Sequence, residues 1–305
     1  MRITRRTLLT TAGAALAGAM LPARVWSGTT LDLGGVRIDT LSDGNLVLPA
    51  SFTLGDVPVE EAAPILAQYG LGTEEFTPPC NLTLLRDGER TILFDAGSGH
   101  NFMPTAGKIQ DAFDALGVGM DDVTHVVFTH AHPDHIWGVL DDFDDPAFHN
   151  AEFLIGQDEF DYWMDPETVN TIDAGRQAFA VGARNRLEVI ADSVIKFGGG
   201  EEILPGIASV ATYGHTPGHM SFEIRAGGET LLVTGDAITN HHLNFARPGW
   251  HSGSDQDPDM GAATRVALLD RLASEQMTLI GFHLPGGGIG RAERDGDAYR
   301  FVELG

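Results

Sequence analysis

Two β-sheets packed together and faced on both sides by helices is the architecture this sequence predicts. Three observations carry it. Strand-like apolar runs outnumber helical ones, neighbouring runs are joined by hairpin turns, and helical stretches fall between groups of strands. No Pro/Ser-rich linker interrupts residues 28–305, which therefore read as one domain. A chain of 305 residues, 43% hydrophobic and 20% charged, can bury one large core.

The elements follow in chain order. In residues 1–27, Arg5-Arg6 precede an apolar run of 13 residues, Leu8 to Met20. That length suits the core of an export signal and is short for a bilayer span. The Thr-Arg-Arg-x-Leu-Leu context fits a twin-arginine signal, with an ordinary secretory signal or an uncleaved anchor as the alternatives. Cleavage after Ala19 or Ser27 and a periplasmic or secreted address follow as expectations, with no stable membrane insertion afterwards.

Val36–Leu41 and Leu46–Pro49 flank Ser-Asp-Gly and read as a hairpin, followed by a helix near Val59–Tyr69. Asn81–Leu85 and Arg90–Phe94 form a second hairpin, turned at Asp87-Gly88. A helix over about Thr105–Leu116 leads to the β-branched run Thr124–Thr129, a buried strand. Pro133 suits the first turn of a short helix. Glu152–Ile155 is a strand, and the chain is then largely helical to about Leu187. Strands follow at Ile207–Thr212, Met220–Ile224 and Thr230–Thr234. A helix over Asp259–Ser274 precedes strands at Thr278–Phe282 and Tyr299–Glu303.

Charge narrows the partners. The net charge is −24, and removing the four arginines of the acid-free residues 1–27 takes it to −28. Such a surface repels nucleic acid and anionic membrane; it is mostly a solubility feature and does not specify a substrate. The run Asp141-Asp142-Phe143-Asp144-Asp145 reads as a solvated loop. Oligomeric state is left open, a homodimer included. Cys80 is the sole cysteine, so no intrachain disulfide and no thiolate zinc cluster can form. At a strand start it reads as a small buried apolar residue rather than a nucleophile.

The chemistry concentrates in THAHPDHIWG, Thr129 to Gly138, where His130, His132, Asp134 and His135 fall within six residues. Imidazole and carboxylate suit zinc and its neighbours. In extended backbone His130 and His132 point the same way, so both can reach one ion. Asp134 and His135 follow as the chain turns into the helix and can face a second ion about 3.5–4 Å from the first. Further donors stand just past apolar strands: Gly214-His215-Thr216-Pro217-Gly218-His219, Thr234-Gly235-Asp236 and Gly281-Phe282-His283.

These four motifs in this order resemble the metallo-β-lactamase-fold hydrolase superfamily. Thr40-Leu41-Ser42-Asp43-Gly44, Phe282-His283-Leu284-Pro285, Gly288-Ile289-Gly290 and Tyr299-Arg300-Phe301-Val302 are similar to the branch containing methyl parathion hydrolase. The resemblance implies a four-layer αββα sandwich of mixed α and β structure, with the site along one edge of the sheets. It implies that His130, His132 and His215 bind one metal, that Asp134, His135 and His283 bind another, and that Asp236 bridges them. His219 and Asp95 would orient these groups from behind. The cofactor implied is a pair of divalent ions, Zn2+ first, with Mn2+, Fe2+ or Co2+ as alternatives.

Two such ions lower the pKa of a shared water, so a metal-bridged hydroxide exists at neutral pH to attack a carbonyl or phosphoryl centre. Asp134 would hold that hydroxide in position. The expected activity is therefore binuclear hydrolysis of an ester, lactone or organophosphate. Ala237-Ile238-Thr239-Asn240 stand where the acyl-homoserine lactonases often carry a Tyr, which weakens that specific reading. An iron enzyme resembling glyoxalase II or persulfide dioxygenase and a non-catalytic periplasmic metal-binding protein are the rivals. Trp137, His241, His242 and Trp250 are candidates for the substrate pocket.

Overall fold

The computed structural model describes residues 27–304. In chain order the strands are β1 (Ser27–Leu33), β2 (Val36–Asn45), β3 (Leu48–Pro49), β4 (Glu75–Phe76), β5 (Pro79–Arg86), β6 (Thr91–Phe94), β7 (His125–Val127), β8 (Glu152–Gly156) and β9 (Val194–Phe197). The second half adds β10 (Glu202–Leu204), β11 (Ile207–Ala211), β12 (Met220–Ala226), β13 (Glu229–Gly235), β14 (Thr278–Gly281), β15 (Ile289–Asp295) and β16 (Ala298–Glu303). The helices are α1 (Ala50–Leu54), α2 (Val59–Gln68), α3 (Ile109–Leu116), α4 (Pro133–Ile136), α5 (Gln157–Met164), α6 (Thr168–Thr171), α7 (Gln177–Ile190), α8 (Leu243–Ala246) and α9 (Pro258–Glu275).

One seven-stranded sheet has the order β1-β2-β5-β6-β7-β8-β9, and the other runs β10 to β16 in sequence order. The first is antiparallel as far as β6 and parallel from β6 to β9. In the second only β13 and β14 run parallel. Both sheets therefore have parallel strands at their centre, and those strands end on the same edge of the molecule, where the motifs stand.

Apolar residues sort into layers accordingly. Ile38, Phe94, Val127 and Leu154 of the first sheet meet Phe222, Leu231, Val233 and Ile280 of the second in a core between the sheets. Leu82, Leu93 and Val126 face outward onto Phe113, Trp163, Ala183 and Leu187 of α3, α5 and α7. Leu232, Leu279 and Ala292 face Leu268, Leu269 and Leu272 of α9. A strand buried on both faces reads as a continuous apolar run, as in β7 and β13. The αββα sandwich is thus present. A satellite cluster holds α1 and α2 against Leu243 through Ala50, Leu54, Ala62 and Leu66.

The Ser-Asp-Gly hairpin is not formed. β2 continues through Ser42 to Asn45 with a bulge and pairs with β5, while Leu48 pairs with Phe76 instead. The buried Asp43 carboxylate explains this. It accepts the backbone N–H groups of Ser98, Gly107, Lys108 and Ile109 at 2.7–3.2 Å, so it anchors a distant loop rather than closing a local turn. The export signal expected over residues 1–27 lies outside the described residues, except for Ser27, which opens β1 opposite Leu41. Among the described residues no helix is long and apolar enough to cross a membrane.

Candidate metal centre

Chain ends of four strands deliver the polar groups. After β7, Phe128 still bonds Leu154 of β8, and Thr129 then passes its carbonyl to the N–H of Met220 in β12 at 2.9 Å. That bond ties the two sheets together at the site's edge. His130 follows, His132 is in extended backbone, and Pro133 starts α4, which carries Asp134 and His135. His215 and His219 lie on the loop between β11 and β12, Asp236 follows β13, and His283 follows β14 two residues on.

Two glycines make the close approach feasible. A Cβ on Gly218 would stand 2.1 Å from the backbone N of Glu159, and one on Gly235, at φ 51°, would stand 2.7 Å from His219 Nε2.

His130, His132 and His215 form one cluster of donor atoms within 4.8 Å of one another, and His130, His135 and Asp236 form another. His132 Nδ1 faces His215 Nε2 at 2.9 Å. His283 Nε2 lies 3.2 Å from Asp134 Oδ2 and 3.3 Å from Asp236 Oδ2, and His135 Nε2 lies 3.3 Å from Asp236 Oδ1. All seven side chains are buried. His130 Nε2, His135 Nε2, Asp134 Oδ2 and Asp236 Oδ1 have no hydrogen-bond partner. Buried polar atoms without partners are costly, and a convergent set of imidazole nitrogens and carboxylate oxygens is what divalent cations bind. The donor set therefore fits the ions that the motifs imply.

Ionisation divides the centre. Burial, reinforced by the neighbouring imidazoles, holds His130 and His132 well below the ordinary imidazole range. Burial also opposes charge at His135 and His283, yet Asp236 and Asp134 outweigh it and raise both well above that range. Conversely, burial opposes charge at Asp134 and Asp236, but His135 and His283 hold both carboxyls below the usual range.

His135, Asp236 and His283 are oriented from behind. His135 Nδ1 meets Asp95 Oδ2 at 2.8 Å, while Asp95 Oδ1 accepts Thr129 N–H at 2.7 Å. Asp95 adopts φ 65°, an unusual backbone for a non-glycine residue, compensated by these bonds. His219 accepts the Asp236 N–H on Nε2 at 2.9 Å and bonds Thr212 Oγ1 through Nδ1, so it holds Asp236 in place and is saturated itself. His283 Nδ1 bonds the Pro79 carbonyl at 2.8 Å. Hydrogen bonds of this kind fix ring orientation and raise ligand basicity.

Sequence reasoning missed two such groups. Asp255 bonds His215 Nδ1 at 3.2 Å and forms a buried ion pair with Arg265 at 2.6 Å. Glu159, also buried, accepts from Ala131 N–H, Gly218 N–H, Thr216 Oγ1 and Trp163 Nε1, which staples the two histidine loops together. Neither sits near a histidine motif in sequence, so no local signal marks it. Cys80 is buried in the core, as read from the sequence, and burial pushes its thiol up to about 12. Its sulfur also belongs to a donor group with Asp134 and His283.

A cavity of about 160 Å³ opens onto the centre. His132, Asp134, His215, Asp236 and His283 form its floor; Leu48, Phe52, Leu71, Phe76, Phe102 and Phe179 form an apolar wall, and Thr239 to His242 a polar one. The proposed pocket residues divide. His241 and His242 line the cavity, whereas Trp137 and Trp250 do not. Trp137 is turned away, with Arg186 over its ring at 4.4 Å and Phe102 against it. Trp250 packs on the satellite cluster of α1 and α2.

This fold and this centre define a class of protein. The profile of the metallo-beta-lactamase superfamily matches residues 77–265, and the chain belongs to that superfamily. Among its relatives, a metal-dependent hydrolase of Ruegeria sp. (strain TM1040) is 30% identical over 154 residues, 50% of this chain and 58% of the relative. The chain thus spans under two thirds of that relative's length. Two solved structures superpose with TM-scores of 0.85. AidC, a dizinc quorum-quenching lactonase, is 24% identical over 92% of this chain and 99% of its own, a likeness of fold alone. The hydrolase AbOPH is 27% identical over 93% of this chain and 99% of its own.

Proposed function

We propose that this protein is a binuclear metal-dependent hydrolase that cleaves a small uncharged ester, lactone or phosphotriester. One observation carries the reading: the buried atoms His130 Nε2, His135 Nε2, Asp134 Oδ2 and Asp236 Oδ1 form no hydrogen bond, although His135 Nε2 lies only 3.3 Å from Asp236 Oδ1 and 3.5 Å from Asp134 Oδ2. His130, His132 and His215 would hold one ion, Asp134, His135 and His283 the other, with Asp236 between them. Bound there, divalent ions acidify water and polarise a substrate oxygen.

The chain's own residues do the rest. Asp134 lines the cavity beside His283 and accepts a hydrogen bond from the attacking water, fixing its direction. The apolar wall seats the acyl or aryl group and excludes bulk water, which strengthens every electrostatic interaction in the floor. Neither wall offers an exposed cation, in keeping with an uncharged substrate. Twin-arginine export of the folded, loaded protein is part of this proposal.

Elemental analysis of the folded protein, alongside a panel of chromogenic esters, lactones and phosphotriesters, tests it. About two ions per chain and turnover of at least one class are expected. A single iron with oxygen consumption, or tight metal binding without any cleavage, would overturn it.

A further inference from the structure

His242 lies outside both ligand clusters, yet its ring forms part of the cavity wall. It opens α8, and its Nδ1 accepts the backbone N–H of Leu243 at 2.9 Å. A neutral imidazole carries one proton, so a nitrogen that accepts leaves the proton on the other. The Nε2–H of His242 is thereby a donor, and no protein acceptor bonds it among the described residues. Phe76 packs on the ring at 5.5 Å, Tyr69 at 6.0 Å and His241 at 5.1 Å, which fixes its plane.

The backbone behind it is equally fixed. Asn244 Oδ1 accepts from Thr239 N–H, Thr239 Oγ1 and Asn240 N–H, and Asn240 Oδ1 accepts Asn244 N–H at 2.9 Å. The segment from Thr239 to Asn244 is therefore a closed, self-bonded loop whose side chains at 241 and 242 face the cavity. Such a loop presents a donor in one place, as a binding group must be presented.

We infer that His242 is a substrate-binding residue, donating a hydrogen bond from Nε2–H to an uncharged oxygen, a carbonyl or phosphoryl, of a ligand whose apolar part rests on Phe76 and Leu71. The inference takes its substrate class from the hydrolase reading above. Burial holds the imidazole far below its ordinary range, at about 3, so it is neutral at any working pH. A neutral donor brings no counter-charge, so it cannot offset the cost of desolvating a carboxylate or phosphate monoester against the apolar wall, whereas an uncharged carbonyl or phosphoryl oxygen carries no such cost.

Two substitutions separate the ring's two nitrogens. Asn at 242 keeps an acceptor near the Nδ1 position for the Leu243 N–H but removes the outer donor, whereas Gln restores a donor near the Nε2 position. N-methylhexanamide, an uncharged carbonyl compound that resists hydrolysis, serves as the probe. It is titrated into zinc-loaded protein labelled with 15N-histidine, and ring nitrogen shifts are followed by NMR.

We expect the Nε2–H tautomer at His242 and a shift of that nitrogen on adding the amide. Binding should be about tenfold weaker in His242→Asn, the loss of one hydrogen bond, with most of it recovered in His242→Gln. On a cleavable ester the same pattern should appear in KM more than in kcat. An Nδ1–H tautomer, no amide binding by the wild type, or equal binding in the Asn variant would overturn the inference. These readouts need no turnover, so an inactive but amide-binding protein would sink the hydrolase reading while leaving His242 in its role.

Discussion

The two groups of side chains proposed to hold metal sit side by side on one edge of the sandwich and differ in kind. His130, His132 and His215 are three imidazoles, and burial with mutual repulsion keeps His130 and His132 neutral. Asp134, His135, His283 and Asp236 pair carboxylates with imidazoles whose pKa the carboxylates raise. In the second group each imidazole faces a carboxylate, His283 Nε2 lying 3.2 Å from Asp134 Oδ2 and His135 Nε2 3.3 Å from Asp236 Oδ1, while in the first His132 Nδ1 faces another imidazole, His215 Nε2, at 2.9 Å. The difference teaches that packed imidazoles offer one another no opposite charge, whereas imidazoles beside carboxylates each stabilise the other's charged form. Backing follows the same divide: Asp255 and Arg265 stand behind the first, and Asp95 with Thr129 stands behind the second.

The largest effects should come from the ligands themselves. His132→Ala and His283→Ala should each abolish turnover and each retain about one ion of the two, on opposite sides of the centre. Elemental analysis of the two variants reads this directly; loss of both ions in either would mean that the clusters are not separable. Chelation should lower the melting temperature of the wild type, and His132→Ala should mimic part of that drop.

Asp255→Asn comes next, because it weakens support for His215 and leaves the buried Arg265 without a counter-charge, held only by neutral acceptors such as the Pro248 and Trp250 carbonyls. A stability loss of about 3–5 kcal/mol is expected, read by urea unfolding of the metal-free protein. Metal affinity should fall about 10–100-fold on the same side. Asp95→Asn should show the affinity loss without so large a stability loss, since no buried arginine depends on it; equal losses in both would erase the distinction between the two backings.

Gly218→Ala should destabilise by about 1–3 kcal/mol, because its methyl would collide with the backbone of Glu159 and force the His215 loop outward. A crystal structure of the variant showing an unmoved loop would refute that account.

The smallest effect lies far from the centre, at Asp39. Burial raises its carboxyl, but Thr30, Arg86 and Arg37 outweigh this and leave it lowered. A carboxylate lowered on folding contributes stability above its unfolded value of about 4, and that contribution is lost as pH falls through the folded value. Its arginine partners are partly exposed, so the contribution is about 1 kcal/mol or less. Asp39→Asn should flatten the acid limb of the stability curve by that amount below about pH 4 and leave metal content unchanged.

Legibility followed physical locality. The helix Val59–Gln68, the hairpin of β5 and β6, and the strands β11 to β14 were readable because each carries its own apolar period and turn residues. β15, Ile-Gly-Arg-Ala-Glu-Arg-Asp, escaped notice because its charges face solvent and only its neighbours make it a strand. The Ser-Asp-Gly segment misled because the partners of Asp43 come from residues 98–109, beyond the reach of turn chemistry. Trp137 and Trp250 looked like pocket residues because aromatic identity does not reveal which way a side chain turns.

By itself the sequence determined which donors exist and where they stand in the chain: His130, His132, Asp134 and His135 within six residues, then His215, Asp236 and His283, each just beyond an apolar strand. Covalent spacing and strand periodicity are local properties, so they survive without coordinates. Only the tertiary structure decided that Glu159 staples two histidine loops, that Asp255 backs His215 and that His242 rather than Trp250 walls the cavity. Those contacts join residues far apart in sequence, and what selects them is the cost of leaving buried polar groups without partners, which appears only once the chain has closed around them.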